Sequence, residues 1–291
     1  MSACALPAVF ALAVPTGSLA GAGAPRGHST AGAPAALPGG DGGTPAGRPG
    51  ETVRYRPVGC MAAGPPADRT NGPRRRAIAL TFDDGPSIYT RRFVQMLHAE
   101  GAVGTFFMIG DQLSSGYRST LREELRDGDA LGDHTWTHPN LVTAGGARSQ
   151  LQRTKVAIAA LSGYTPCVFR PPYGAYDGSV LQTARSLGLD TITWNVDPVD
   201  YTQPGVGAIE QRVLAQVQPG SIVLSHDGGG PRTQTLAAYP HIIQALRARG
   251  YRFLTVPQLL GLHTIYKRCR RDCGEAAITG LPPRGSTVLA G

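Results

Sequence analysis

Five short clusters in this chain carry residue types that could do chemistry, and each follows a run of strand-like residues. The first, Thr81-Phe82-Asp83-Asp84-Gly85-Pro86, sets two carboxylates side by side. Adjacent carboxylates repel, so the pair needs a cation or a shared proton. The second, His134-Thr135-Trp136-Thr137-His138, spaces two imidazoles four residues apart, close enough on a helical turn or tight loop to grip one metal. Pro139 and the threonines favour the loop or a single turn over a long helix. With Asp84 the two histidines make a two-His, one-carboxylate set, which suits zinc or another divalent ion with positions left open.

The third cluster, Arg170-Pro171-Pro172-Tyr173-Gly174, is stiffened by two prolines. A rigid backbone N–H aimed into a pocket is a candidate oxyanion donor. The fourth, Asp197-Pro198-Val199-Asp200-Tyr201, follows the strand that carries Trp194. The fifth, Leu224-Ser225-His226-Asp227-Gly228-Gly229-Gly230, puts a histidine at the end of an apolar strand, where it can act as a general acid. Its glycines belong to no GxxxxGK[ST] or GxGxxG pattern, so they do not read as a phosphate cradle. Taken singly, each cluster also reads as an ordinary turn or proline-rich loop. Their joint occurrence at successive strand ends carries the signal.

The elements that must position these clusters alternate regularly. Strands are expected at 77–82, 103–109, 130–132, 167–169, 191–196, 222–224 and 251–256. Helices are expected at 90–100, 119–126, 147–161, 178–187, 208–217 and 235–248, with apolar residues on one face, such as Phe93, Val94 and Leu97. Strand–helix alternation over about 185 residues implies a parallel sheet, open or closed into a barrel. Both place their sites at the carboxyl ends of the strands.

In this order the clusters resemble the polysaccharide deacetylase (NodB homology) family, the family 4 carbohydrate esterases. The resemblance spans about residues 74–262 and rests on TFDDGP (81–86), HTWTH (134–138), RPPYG (170–174), DPVDY (197–201) and LSH (224–226). One stretch departs from the family pattern: Asp-Trp is usual where this chain has Asp200-Tyr201. Tyr keeps a flat apolar face for a sugar ring.

The resemblance implies an α/β fold, a distorted, incomplete (β/α)7-8 barrel with the groove at the C-terminal ends of the strands. It implies a divalent metal, zinc first and Co2+ or another ion second, held by Asp84, His134 and His138. Asp83 would be the base, paired with Arg170, and His226 the acid, oriented by Asp200. The Tyr173 N–H would stabilise the oxyanion, and Leu224 and Tyr201 would line the pocket. The implied reaction removes acetyl groups from N-acetylglucosamine-containing polysaccharide, chitin oligomers or peptidoglycan. Acetyl-xylan O-deacetylation and a silent carbohydrate-binding relative are the alternatives. No cluster needed for metal, base or acid is missing, which speaks against the silent relative.

Composition bounds the rest. The 291 residues carry 28 Lys plus Arg against 20 Asp plus Glu, a formal net charge of +8. The charge is uneven: residues 77–262 hold 15 basic and 15 acidic side chains, so the excess lies in the flanks. It suits weak, salt-sensitive attachment to an anionic wall or membrane surface, and equally a solvated tail with no partner. No nucleic-acid motif or aromatic-basic interleaving accompanies it, so a nucleic-acid partner is not expected; the unit is expected to be a monomer.

Residues 1–24 contain the apolar run Ala5–Val14 followed by small residues, the pattern of a secretory signal without a basic start. Residues 25–73 form a Gly/Ala/Pro-rich flank expected to be mostly disordered. Residues 74–262 form the deacetylase-like domain, and 263–291 a basic tail. The protein is accordingly expected to be secreted or cell-wall associated. Beyond Cys4, the cysteines Cys60, Cys167, Cys269 and Cys273 allow three disulfide connectivities, and free thiols are the alternative.

Overall fold

A computed structural model describes residues 54–65, 67–269, 278–279 and 286–289. The expected signal segment (1–24), the flank up to residue 53 and Cys273 lie outside the described residues.

The strands, in chain order, are β1 (Arg54–Met61), β2 (Asp68–Arg69), β3 (Ala77–Gly85), β4 (Gly104–Met108), β5 (Ala130–Asp133), β6 (Val168–Phe169), β7 (Asp190–Ile192), β8 (Ile222–Val223), β9 (Arg252–Phe253), β10 (His263–Cys269), β11 (Ile278–Thr279) and β12 (Thr287–Leu289). The helices are α1 (Thr90–Ala99), α2 (Arg118–Asp127), α3 (Leu141–Ala144), α4 (Ala147–Ser162), α5 (Gly178–Ser186), α6 (Val206–Gln216), α7 (Thr233–Ala248) and α8 (Val256–Leu260).

A parallel sheet runs in the order β2-β7-β6-β5-β4-β3-β8, and β9 pairs the start of β3. The central strands read as continuous apolar runs because both faces are covered. β3 is buried at every residue but Asp84, and all five residues of β4 are buried. Phe82 stacks on Phe106 with centroids 5.0 Å apart and meets Phe93 and Tyr239 from α1 and α7.

The sheet curls into a half-barrel. Its seam between β7 and β8 is closed at one level by the single bridge Val196–Val223, and at another by β2 against β7 and Asn71 against Ser221. The (β/α) barrel is therefore distorted and incomplete. Regular pairing of β7 stops at Ile192, short of the expected 191–196 strand, because the chain leaves β6 to reach Val223. The expected strand 251–256 is also shorter. Thr255 and Gln258 form a reciprocal capping box that starts α8 at Val256.

A second sheet, β11-β1-β10-β12, crosses both expected domain boundaries. β1 pairs antiparallel with β10 from Arg54–Cys269 to Met61–His263. The stretch from residue 54, expected to be part of a disordered flank, is ordered by this pairing. Tyr55 and Tyr266 are buried, and a disulfide joins Cys60 to Cys167 next to β6. One bridge thus ties a flank to the core, while Cys269 is free.

Candidate active site

Alternation along a strand sends neighbouring side chains to opposite faces, so Asp83 and Asp84 should not both reach one site. The structure resolves this with a bulge. Asp83 pairs with Phe107 and Gly85 with Met108, leaving Asp84 as the extra residue, with φ of 70°. The bulge turns Asp84 toward the same cavity as Asp83.

Asp84 meets His134 and His138 there. Its Oδ1 lies 3.4 Å from Nε2 of each, and the ligand-type atoms of the three residues fall within 4.8 Å of one another. His134 Nδ1 lies 2.8 Å from the Arg170 carbonyl, which can only accept, so Nδ1 carries a proton and Nε2 is the ring nitrogen turned toward Asp84. Burial and the charge of His134 push His138 below its ordinary value, favouring the neutral form that ligates. Burial alone would raise Asp84, but the hydrogen bond and charge of His134, with His226 and His138, hold its carboxyl well below the usual range. Asp84 Oδ1 is buried and has no hydrogen-bond donor besides these two imidazoles. Converging acceptors of this kind fit a divalent cation.

His138 and Tyr173 share the left-handed backbone of Asp84, with φ of 58° and 61°. Such conformations cost about 1–3 kcal/mol each and persist where surroundings enforce them. For Tyr173 the enforcers are Pro171-Pro172 ahead and Gly174 behind, whose Cβ position is only 3.0 Å from the Trp194 ring.

Asp83 is held by Arg170, which is fully buried. The Arg170 NH1 donates to Asp83 Oδ1 at 2.8 Å and to Thr81 Oγ1 at 2.6 Å, and NH2 donates to the Thr193 carbonyl at 3.2 Å. Its guanidinium lies 4.3 Å over the Phe107 ring. Asp83 and Arg170 thus form a buried ion pair, which offsets the several kcal/mol that a lone buried charge would cost.

His226 sits beside Asp83 in a parallel bridge. Its Nδ1 is 2.7 Å from Asp200 Oδ1, while Asp200 Oδ2 accepts from the His226 N–H at 3.0 Å and from Thr235 Oγ1 at 2.9 Å. Burial alone would lower His226, but the Asp200 hydrogen bond and charge, with Asp83 and Asp84, raise it above its ordinary value.

All ten residues singled out from the sequence come together in this region. Eight of them line one cavity of ≈ 470 Å³: Asp83, Asp84, His134, His138, Tyr173, Tyr201, Leu224 and His226. Arg170 and Asp200 stand directly behind it, each bonded to a residue of its wall. Tyr173 and Tyr201 flank the cavity and are 71% and 51% exposed, with rings edge-on to His138 and His226.

Sequence reasoning missed other members. Trp194 and Arg232 also line the cavity, and Asp227 is wholly buried behind it. Burial, followed by the charges of Asp84 and Asp83, pushes the Asp227 carboxyl up to about 7 against the opposing Thr90 hydroxyl. The glycine run after His226 has a steric purpose. A Cβ at Gly228 would lie 1.8 Å from the Asp84 carbonyl, and one at Gly229 would lie 2.3 Å from Asp84 Oδ2. The signal was present as three consecutive glycines, but its partner strand was not legible.

The polysaccharide deacetylase family profile matches residues 70–192. The chain is 36% identical over 196 residues to a peptidoglycan-N-acetylglucosamine deacetylase of Bacillus cereus, covering 64% of this chain and 88% of that one. It is 35% identical over 196 residues to a chitooligosaccharide deacetylase of Sinorhizobium fredii, covering 62% and 91%. A crystal structure of a peptidoglycan N-acetylglucosamine deacetylase superposes with a TM-score of 0.64 at 31% identity, covering 67% of this chain and 92% of that one. A family 4 pseudoenzyme from Bacillus anthracis superposes with a TM-score of 0.62 at 28% identity, covering 67% and 69%. The chain belongs to the polysaccharide deacetylase family, the family 4 carbohydrate esterases, and is an enzyme of that class.

Proposed function

We propose that this enzyme hydrolyses the N-acetyl group of N-acetylglucosamine units in a polysaccharide, peptidoglycan or chitin oligomers, with a divalent cation at Asp84, His134 and His138. One observation carries the reading: the Asp84 trio, Asp83 with Arg170 behind it and His226 with Asp200 behind it meet at a single cavity. Relatives named for both substrates support the substrate class.

A cation at the trio, zinc first and cobalt or another divalent ion second, supplies Lewis-acid polarisation of the acetamide carbonyl and of the attacking water. Asp83, paired with Arg170, takes a proton as the water oxygen bonds to the acetyl carbon. The Tyr173 backbone N–H faces the oxygen on which charge develops. His226 gives its Nε2 proton to the nitrogen as the C–N bond breaks, so the sugar leaves as an amine and the acetyl group as acetate. Asp200 holds the Nδ1 proton of His226 and fixes which nitrogen faces the substrate. Leu224 and Tyr201 bound the acetyl group and the sugar ring.

The silent relative is disfavoured because metal set, base and acid are all assembled. Export to the cell wall is part of the proposal, and the Cys60–Cys167 bridge supports an oxidising compartment.

The deciding experiment measures acetate release from chitin oligomers, peptidoglycan and acetyl-xylan before and after chelation and metal reloading. Release from the N-acetyl substrates that vanishes on chelation and returns with zinc or cobalt is expected. Undiminished release from metal-free protein would overturn the metal, and release from acetyl-xylan alone would overturn the substrate class. Asp83→Asn is expected to bind metal yet release acetate on the order of a thousandfold more slowly.

A further inference from the structure

The two imidazoles that face Asp84 are held in different ways. His134 is fixed through its ring, whose Nδ1 bonds the Arg170 carbonyl, and through its N–H, which donates to the Met108 carbonyl at 2.9 Å. His138 has no such anchor on its ring. Its Nε2 faces Asp84 and its edges meet the His134 and Tyr173 rings, but among the described residues nothing bonds its Nδ1. A metal-binding histidine is ordinarily oriented by a hydrogen bond on its other ring nitrogen. For His138 that task falls to the backbone of the turn that carries it.

This turn is strained. Thr135 and His138, at its two ends, are both left-handed, with φ of 69° and 58°, a region that suits a β-branched residue poorly. Each of its four N–H groups donates to a side chain. Thr135 gives to Asp133 Oδ1 at 2.9 Å, and His138 gives to Thr135 Oγ1 at 3.0 Å. Those acceptors belong to the turn or to its immediate neighbour. The middle two N–H groups, of Trp136 and Thr137, both give to a single atom from another element, Gln150 Oε1, at 2.7 and 2.9 Å. The Gln150 amide nitrogen donates in return to Thr137 Oγ1 at 3.0 Å. Gln150 lies on α4, and Arg153, one turn further along that helix, sets its guanidinium 4.1 Å over the Trp136 ring.

We infer that Gln150 is a positioning residue of the metal site: its amide, carried on α4, fixes the turn between the two histidines and thereby the place of His138 relative to Asp84. The inference rests on the metal in the proposed function. It adds a residue that bonds none of the three ligands and lies outside all five sequence clusters.

The test titrates apo-protein with zinc and records thermal melting beside it. Gln150→Ala is expected to lower zinc affinity about tenfold. Gln150→Glu keeps an oxygen for both N–H groups and is expected to bind zinc at least as tightly as wild type. Thr137→Val removes only the hydroxyl that Gln150 holds, and is expected to lower affinity in the same direction as Gln150→Ala. Wild-type affinity in folded Gln150→Ala overturns the role, and so does an equal loss in Gln150→Ala and Gln150→Glu. Should Gln150→Ala fail to fold, unchanged affinity in Thr137→Val overturns it. Wild-type protein that takes up no zinc overturns the metal in the proposed function, and the role of Gln150 falls with it.

Discussion

Asp200 grips His226 at two points, taking the ring Nδ1 on one carboxylate oxygen and the backbone N–H on the other. Thr235 fills a further acceptor site on the second oxygen, so the carboxylate cannot turn. Backbone and ring of the histidine are fixed by one side chain.

Asp200→Asn should therefore alter the pH profile as well as the rate. His226 must be protonated to act as the acid, and its pKa is raised chiefly by Asp200 against the lowering effect of burial. Acid function in the wild type is retained above the ordinary histidine value and lost as pH rises through the raised pKa. Removing the charge takes away the largest contribution that raises the pKa, so the basic limb moves to lower pH. The rate at the optimum is expected to fall on the order of a hundredfold or more. A pH–rate profile of acetate release checks both, and an unmoved basic limb would remove Asp200 from this role.

Thr81→Val probes the anchorage of Arg170. The Thr81 hydroxyl donates to the Val223 carbonyl at 2.6 Å and accepts from Arg170 NH1, all in a fully buried setting. Valine keeps the shape but deprives a buried carbonyl of its donor, at a cost of about 1–3 kcal/mol. Arg170 and Asp83 lose a fixed point, so kcat is expected to fall about tenfold to a hundredfold, with metal content unchanged. Thr81→Ser should restore most of it. Steady-state kinetics alongside metal analysis reads the result.

Gly228→Ala is expected to strike metal affinity rather than chemistry. The added Cβ would lie 1.8 Å from the Asp84 carbonyl, so the bulge bearing Asp84 must shift. Titration of apo-protein with zinc should show affinity reduced by about tenfold or more. Wild-type affinity would mean that the loop accommodates the methyl group.

The Cys60–Cys167 bridge encloses a separation of 107 residues. Removing it by Cys60→Ser with Cys167→Ser should cost about 2–5 kcal/mol. Thermal melting of this variant against wild type, each with and without reductant, measures the loss; the variant should be insensitive to reductant.

The candidate site was legible because its residues cluster at strand ends, where a one-dimensional pattern and a three-dimensional location coincide. Asp84, His134, His138 and His226 could be named for that reason. What stayed hidden depends on pairing between distant strands. Nothing local marks Asp84 as a bulge, since that follows from its register against Phe107 and Met108. Trp194, Arg232 and Asp227 occupy positions that look ordinary until the half-barrel brings them to one cavity. The β1–β10 ladder was invisible for the same reason. Arg54–Met61 is neither strongly apolar nor alternating, and it becomes a strand only beside His263–Cys269.

That ladder decides how the enzyme bears tension. Traction on the stretch before Arg54 loads β1 first where Arg54 pairs with Cys269 on one side and Thr279 on the other, and peels it from β10 one pair at a time. Nearly the whole ladder can open before the pull arrives at Cys60, opposite Thr264. There the covalent bond to Cys167 acts as an end stop, diverting the load to β6 before it travels down the chain to β3. A tether on the upstream flank could thus be strained without deforming the strand that presents Asp83 and Asp84.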